Sequence, residues 1–359
     1  MRLAMVGPPL SGKTTLFSVL TGLDVAGGTS SDSGVHLGIF RVPDPRLDRL
    51  ATAIPHPKIT PVSIEVADIP GLSRTGSRGL DEKILGPARI ADALIVVIRS
   101  FEDPGVPHPS GVVDPMADLE SSWTDLVIAD LSSAEKRLGK LKGLISKAGA
   151  DHDEIVEAGA LTRVVEVLER GGGVAEARFS AEEERLLRGF GFFTAKPLVV
   201  VINIGDEQVQ AEPDARWIQW GDAMGAEVLA IPGDLLAELG RLSDDEAALF
   251  AGEYGIELSE ALRVIDGAFQ ALDVVTFYTA TGGEELRAWT LKLGGTALEA
   301  AGAIHSDFAR GFIRAEVISA DLLIESGSWA EARKAGLVRQ EGKTYRVEDG
   351  DIMNIKFAI

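Results

Sequence analysis

The stretch "GPPLSGKTT", Gly7–Thr15, follows directly on the apolar run "RLAMV". An oily strand must therefore pass through two glycines and two prolines before the helical pattern "TLFSVLTG" begins. The spacing is G-x-x-x-x-G-K-T. A strand that ends in such a loop and then opens a helix points its free amide hydrogens at one spot, which suits a phosphate. Gly7 and Gly12 stand where the backbone must bend or approach closely. Pro8, Pro9, Leu10 and Ser11 complete the loop wall. Lys13 has the reach for β- and γ-phosphates, Thr14 can set its hydroxyl on Mg²⁺, and Thr15 begins the helix beside an α-phosphate.

The surrounding pattern is the one this loop requires. Apolar runs at Leu3–Val6, Val62–Ala67, Ala93–Ile98 and Leu198–Ile202, with a further one at Glu227–Ile231, read as buried parallel strands. Helical stretches separate them, which predicts a doubly wound α/β sheet. From Met116 to about Arg188 the texture changes. Leu119, Trp123, Leu126, Val127, Leu131, Ala134, Leu138, Leu141 and Ile145 recur at spacings of three and four. After the breaking link "SKAGADHDE", Ile155, Leu161, Val165 and Leu168 start a second stripe, so this stretch predicts an inserted helical hairpin. From Val275 onward, short alternating segments and glycines predict a small α+β domain. Its strands are "RAWTLKLG", "GFIRAEVIS", "KTYRVEDGD" and "IMNIKFAI", with helices near Ala297–His305 and Trp329–Ala335.

Two further motifs give the loop its context. In "VSIEVADIPG" a strand delivers Asp68 at its carboxyl end, with Gly71 three residues on. That carboxylate can hold Mg²⁺ through water, and the Gly71 amide can sense a γ-phosphate. In "PLVVVINIGDE", Asn203 and Asp206 form N-x-x-D after a strand, with Ile204 at the place usually taken by lysine. A carboxylate at Asp206 suits the N1 and N2 protons of guanine, a pair adenine lacks. Glu207, one residue later, competes for the role, and an ordinary strand-end turn is the plain alternative. A metabolic kinase would share the phosphate loop, but it needs an acceptor pocket and an arginine-bearing lid, and the sequence offers neither.

Composition narrows the function. No apolar run reaches the roughly 18 residues of a membrane span, so no membrane partner is expected. The N-terminal "MRLAMVGPP" leaves no room for a signal peptide, and there are no cysteines, so a cytoplasmic setting without disulfides or thiolate zinc is expected. The net charge of −20 argues against broad nucleic-acid binding, and DNA is not an expected partner. The tail is nearer neutral, with ten Lys/Arg against twelve Asp/Glu from Val275 to Ile359.

With these motifs in order, the chain resembles the Obg-like ATPase (YchF) subfamily of translation-factor-related GTPases. The likeness is carried by "VPDPRLDRLA" at Val42–Ala51, "RSFEDP" at Arg99–Pro104, "ADLSSAEKRL" at Ala129–Leu138 and above all "RAWTLKLGGTALEAAGAIHSDFARGFIRAEVIS" at Arg287–Ser319. The resemblance implies a P-loop NTPase G domain at 1–115 and 191–274, an inserted α-helical coiled-coil hairpin at 116–190, and a C-terminal α+β ubiquitin-like (TGS) domain at 275–359. It implies hydrolysis of ATP, GTP or both with Mg²⁺, slow without an activating partner. It also implies association, as a monomer, with the ribosome. The hairpin or tail residues such as Arg310, Arg314, Arg333 and Lys334 are the implied rRNA contacts; solvated strand ends are the bland reading of the latter. It places a second base-recognition segment at Leu229, Ala230 and Ile231, and the first-switch threonine at or near Asp32, with Thr29, Ser30, Ser31 and Ser33 as neighbouring hydroxyls. Leu72 stands where many GTPases carry a water-orienting glutamine, and the resemblance offers His108, in the loop after "FED", as the catalytic group instead. His305 and Asp307 suit a helix-end role.

Overall fold

Strands buried on both faces dictate the larger part of the molecule. The computed structural model describes residues 1–24, 34–71, 82–147, 149–257, 259–281 and 284–358. Its strands are β1 (Arg2–Val6), β2 (His36–Arg41), β3 (Lys58–Thr60), β4 (Ser63–Asp68), β5 (Ala93–Arg99), β6 (Leu198–Asn203), β7 (Glu227–Ile231), β8 (Val274–Thr281), β9 (Glu285–Lys292), β10 (Phe312–Ser319), β11 (Arg339–Glu341) and β12 (Asp351–Phe357). The helices used below are α1 (Lys13–Thr21), α2 (Pro45–Ala53), α3 (Glu82–Ile90), α4 (Pro115–Ser146), α5 (His152–Glu169), α6 (Ala181–Leu187), α7 (Ala215–Met224) and α8 (Gly233–Leu239). The chain divides into two compact units, one of residues 2–39 and 65–271, the other of residue 1, 40–64 and 272–359.

The first unit holds a sheet of order β2-β4-β1-β5-β6-β7, with β1 parallel to β4 and β5, and β6 parallel to β5 and β7. All seven residues of β5 and all six of β6 are buried, as a parallel sheet covered on both faces demands. The five predicted strands stand at β1, β4, β5, β6 and β7. The chain leaves the sheet at the carboxyl ends of β1, β4, β5 and β6, and there the motif residues collect.

α4 runs 32 residues, about 48 Å of helix. Asp114 caps it by accepting from the Ala117 amide, and Pro115 at its first position needs no amide partner. Leu119 and Leu126 enter the core beneath the sheet, while Ala134, Leu138 and Leu141 pack on Ala160, Leu161 and Val164 of α5. The helix thus starts as a layer of the α/β core and ends as one arm of the hairpin. Asp151 and Glu154 close a reciprocal capping box at the start of α5.

One buried carboxylate pins the hairpin's return. Asp130 of α4, fully buried, accepts from the amides of Phe193 (3.0 Å) and Thr194 (2.8 Å) and from the Thr194 hydroxyl (2.8 Å). Arg89 lies 3.9 Å from it and stacks on the Phe193 ring. Burial pushes the Asp130 carboxyl above its ordinary range, and these donors pull it back.

The second unit carries a sheet of order β11-β10-β12-β8-β9-β3. β8 pairs antiparallel with β9, β10 antiparallel with β12 and β11, and β12 parallel with β8. The helix Ala297–Ile304 presents Ala297, Ala300 and Ala301 to Phe277, Phe312 and Met353; side chains of one carbon let it approach closely. His305 caps the next turn by accepting from the Asp307 amide, a helix-end role as the sequence suggests. The "KTYRVEDGD" stretch forms no strand beyond an isolated bridge between Arg346 and Thr296; Asp351 accepts from Tyr345 and Glu348 there and turns the chain instead. Residues 40–64, grouped with 1–115 on the sequence pattern, pack here. β3 adds parallel to β9, Tyr278 donates to Asp44, and Arg46 and Arg49 meet Asp349 and Asp321. Among the described residues, no helix is long and apolar enough to cross a membrane.

Asp130→Ala leaves three donors without an acceptor, two of them buried amides. Chemical denaturation is expected to register a loss of about 3 kcal/mol; a loss under about 1 kcal/mol would mean the carboxylate does not anchor the hairpin.

Candidate functional site

The loop after β1 is shaped by contacts that only glycine permits. Gly7 has φ 140° and Gly12 φ 89°. A Cβ on Gly7 would lie 2.3 Å from the Val97 carbonyl oxygen of β5, and one on Gly12 would lie 2.0 Å from the Asn203 side-chain nitrogen. A Cβ on Gly71 would meet the backbone of Pro9 at 2.5 Å, so the segment after β4 lies directly against the loop. Leu10, at φ 61°, is one of two non-glycine residues in the left-handed region among those described, and its side chain is exposed. The loop therefore spends backbone strain, of order 1 kcal/mol, to hold its arch.

Gly12 caps α1 in a left-handed conformation and, being glycine, brings no side chain to bond the helix's first amides. Those amides carry the positive end of the helix dipole. Lys13 is almost fully buried beside them. Its ammonium donates to the carbonyls of Pro8 (2.6 Å) and Gly7 (3.3 Å) and lies 3.5 Å from the Ser11 hydroxyl. Burial lowers it to about 8, against the pull of Asp68.

Asn203, at the end of β6, is the brace. Its amide nitrogen donates to the Ser11 carbonyl (3.1 Å), and its oxygen accepts from the Gly233 amide at the start of α8 (2.9 Å). One buried side chain thus ties the phosphate loop to the far end of the sheet. Asp68, at the end of β4, accepts from the Thr14 hydroxyl at 2.7 Å through Oδ2. Its other oxygen, Oδ1, is buried without a hydrogen-bond partner among the described residues. A bare carboxylate oxygen beside a threonine hydroxyl is a donor set that fits a hard divalent cation. No group of three His, Asp or Glu that could hold a metal stands among the described residues, so further ligands must come from elsewhere.

A cleft of about 290 Å³ opens over the loop, lined by Gly12, Lys13, Thr15, Phe101, Asp103 and Asp234 among others. Asp206 is exposed in the turn after β6. Asp234, on the first turn of α8, carries no motif, yet it reaches the cleft. Burial and the charge of Asp206 push its carboxyl up, while a hydrogen bond from Thr15 draws it down. Behind the cleft wall, the buried Arg99 stacks on Phe101 at 4.4 Å, donates through Nε to the Phe101 carbonyl (3.0 Å), and leaves Nη1 without a partner among the described residues.

Two sequence-derived candidates, the second base segment and His108, stand elsewhere. Leu229, Ala230 and Ile231 belong to β7, where Ile231 pairs with Asn203 and its carbonyl accepts from the Ile204 amide. Ile231 is fully buried and Ile204 nearly so; the turn after them, ending in Asp234, faces the cleft. His108 lies in the loop before α4, with Nδ1 2.8 Å from the Ser110 hydroxyl and Nε2 2.9 Å from Asp118 of the helix's first turn, and its side chain is only 5% exposed. Phe101, Asp103 and Val106 of the same loop line the cleft, and His108 does not. Asp32, Thr29, Ser30, Ser31, Ser33 and Leu72 lie outside the described residues.

Comparison with known proteins bears on the whole chain. Residues 274–358 match the family described as "YchF-GTPase_C: Protein of unknown function (DUF933)". The "Ribosome-binding ATPase YchF" of Bacillus subtilis (strain 168) is 35% identical over 364 residues, covering 99% of this chain and 98% of that protein. The "Obg-like ATPase 1" of Caenorhabditis elegans is 32% identical over 367 residues, covering 99% and 92%. Among solved structures, the Schizosaccharomyces pombe YchF GTPase superposes with a TM-score of 0.82 at 26% identity, covering 99% of this chain and 97% of that one.

Proposed function

The chain belongs to the YchF family of Obg-like ATPases, and from that membership we propose a nucleotide-operated switch that binds and hydrolyses ATP, GTP or both with Mg²⁺. The observation that carries the reading is the uncapped amino end of α1, framed by Gly12 and the buried ammonium of Lys13. Gly7 to Thr15 cradle the phosphates, Thr14 and Asp68 hold the cation, and the Gly71 amide meets the γ-phosphate. Bound there, Mg²⁺ would neutralise charge on the β- and γ-oxygens. Lys13 supports this role, because a polyphosphate restores to the ammonium what burial took away. Asp206 takes the base, in a turn held by the Gly205 amide donating to Gln208. Asp206 favours guanine, and the relatives named as ATPases favour adenine.

The G domain, hairpin and TGS-like tail at 1–115 with 191–274, 116–190 and 275–359 remain the proposed functional division. The partner is the ribosome, as the relatives' names suggest, reached through the tail or the hairpin by a monomer working in the cytoplasm. His108 is the proposed catalytic group, and to reach a γ-phosphate it must give up Asp118 and Ser110. That requirement favours slow turnover until a partner intervenes. It equally supports a second reading, a module that holds nucleotide and barely hydrolyses it.

Calorimetric titration of ATP and GTP side by side, with Mg²⁺, tests the proposal. Micromolar binding of at least one is expected, weakened a hundredfold or more in Lys13→Ala, about 3 kcal/mol; unchanged affinity in that variant would overturn the phosphate-loop assignment. In single-turnover hydrolysis, His108→Ala is expected to slow the wild-type rate at least tenfold. A rate that is fast and indifferent to this change would remove His108 from the chemistry. Finally, the protein is expected to cosediment with ribosomes, and to do so differently with a non-hydrolysable triphosphate than with diphosphate. Sedimentation that ignores the nucleotide would contradict a switch.

A further inference from the structure

His36 opens β2 beside the cation end of the cleft, and no motif singles it out. Its Nδ1 lies 3.2 Å from Oδ2 of Asp68, the same oxygen that accepts from Thr14 at 2.7 Å. The imidazole packs against Phe17 at 6.4 Å, and its side chain is 22% exposed against 4% for Asp68. Thr14 and His36 also line one opening of about 560 Å³ beside α1. A hydroxyl oxygen and a ring nitrogen therefore meet one carboxylate oxygen, and the second, Oδ1, is buried without a partner among the described residues.

We propose that His36 is a nitrogen ligand to the divalent cation at this site, so that the site prefers Mn²⁺ or a neighbouring transition ion to Mg²⁺. The inference rests on the nucleotide reading above and goes beyond it. In an octahedron with metal–ligand bonds of about 2.1 Å, adjacent ligands stand about 3.0 Å apart. The contacts of 2.7 and 3.2 Å bracket that edge length, so Thr14 and His36 each already stand from Asp68 Oδ2 at about the separation of adjacent ligands. Magnesium favours oxygen ligands, whereas imidazole suits the later first-row ions. Among the described residues the protein supplies too few ligands to hold an ion by itself, so nucleotide oxygens and water complete the shell. Preference then appears in the ternary complex with nucleotide.

Pulsed electron paramagnetic resonance on the full chain, loaded with Mn²⁺ and a non-hydrolysable ATP or GTP analogue, reads the nitrogen directly. Imidazole ¹⁴N modulation is expected in the wild type and absent in His36→Asn. The ratio of Mn²⁺ to Mg²⁺ affinity in the ternary complex is expected to fall about tenfold in the variant. Bound Mn²⁺ with no ¹⁴N modulation in the wild type would overturn the inference and leave His36 as a hydrogen-bonding prop for Asp68. Failure of the analogue and Mn²⁺ to bind at all would overturn the phosphate-loop reading itself. Because the decisive signal is read on the wild type, it does not depend on the variant folding.

Discussion

The contact on which the rest depends is that between the phosphate loop and the carboxyl ends of the strands beneath it. The loop can lie there only because Gly7 and Gly12 carry no Cβ to strike Val97 and Asn203. Asn203 then converts closeness into position by bonding Ser11 on one side and Gly233 on the other. The amides at the head of α1 are held by the sheet itself and not by the loop's own stiffness. That is the condition for preorganised charge stabilisation: the dipoles are in place before any ligand arrives, so binding need not reorganise them. Without Asn203 the same glycines would permit many loop shapes, since glycine supplies freedom and not direction.

Much of this was legible in the sequence because it is local. A strand, a glycine-rich loop and a helix follow one another within twenty residues, and β1, β5 and β6 announce themselves by unbroken apolar runs, while β4 and β7 carry a Glu each. What escaped depends on tertiary placement. β3 is three residues, all outside the core, and exists because β9 offers it an edge. β2 alternates, with Gly38 and Phe40 covered and Leu37, Ile39 and Arg41 exposed, as a half-covered edge strand does. The resemblance placed a second base segment at Leu229 to Ile231; in the fold β7 ends level with Asn203, so these residues lie within the strand and the turn after them begins at Pro232. His36 and Asp234 have no spacing signal at all. Each is a lone polar residue whose neighbours come from distant segments, Asp68 for the first and Thr15 with Asp206 for the second.

The hairpin shows how an insertion can be joined to a core without a flexible hinge. α4 is continuous through both, and Trp123 packs against the residues of both clusters. Asp130 lies on this same helix and fixes the segment by which the chain returns to β6. Asp118, in the first turn of the same helix, stands 2.9 Å from His108, so one helix carries the hairpin arm, the Asp130 anchor and the histidine's partner.

A chain of net charge −20 would be expected to repel a polyanion. The cleft resolves this without assembling cations. Lys13 is the single ammonium of the loop, and burial lowers it to about 8, a desolvation penalty of roughly 3 kcal/mol. That penalty is present in the ligand-free protein and disappears when phosphate oxygens solvate the ammonium. Of the carboxylates near the cleft, Asp68 stands where a cation would separate it from bound phosphates, Asp234 lies within the field of Asp206, and Asp103 also lines the cleft. The overall acidity falls off over a Debye length of about 8 Å in physiological salt, whereas the dipole of α1 acts at contact distance, so the near field decides the sign of the interaction.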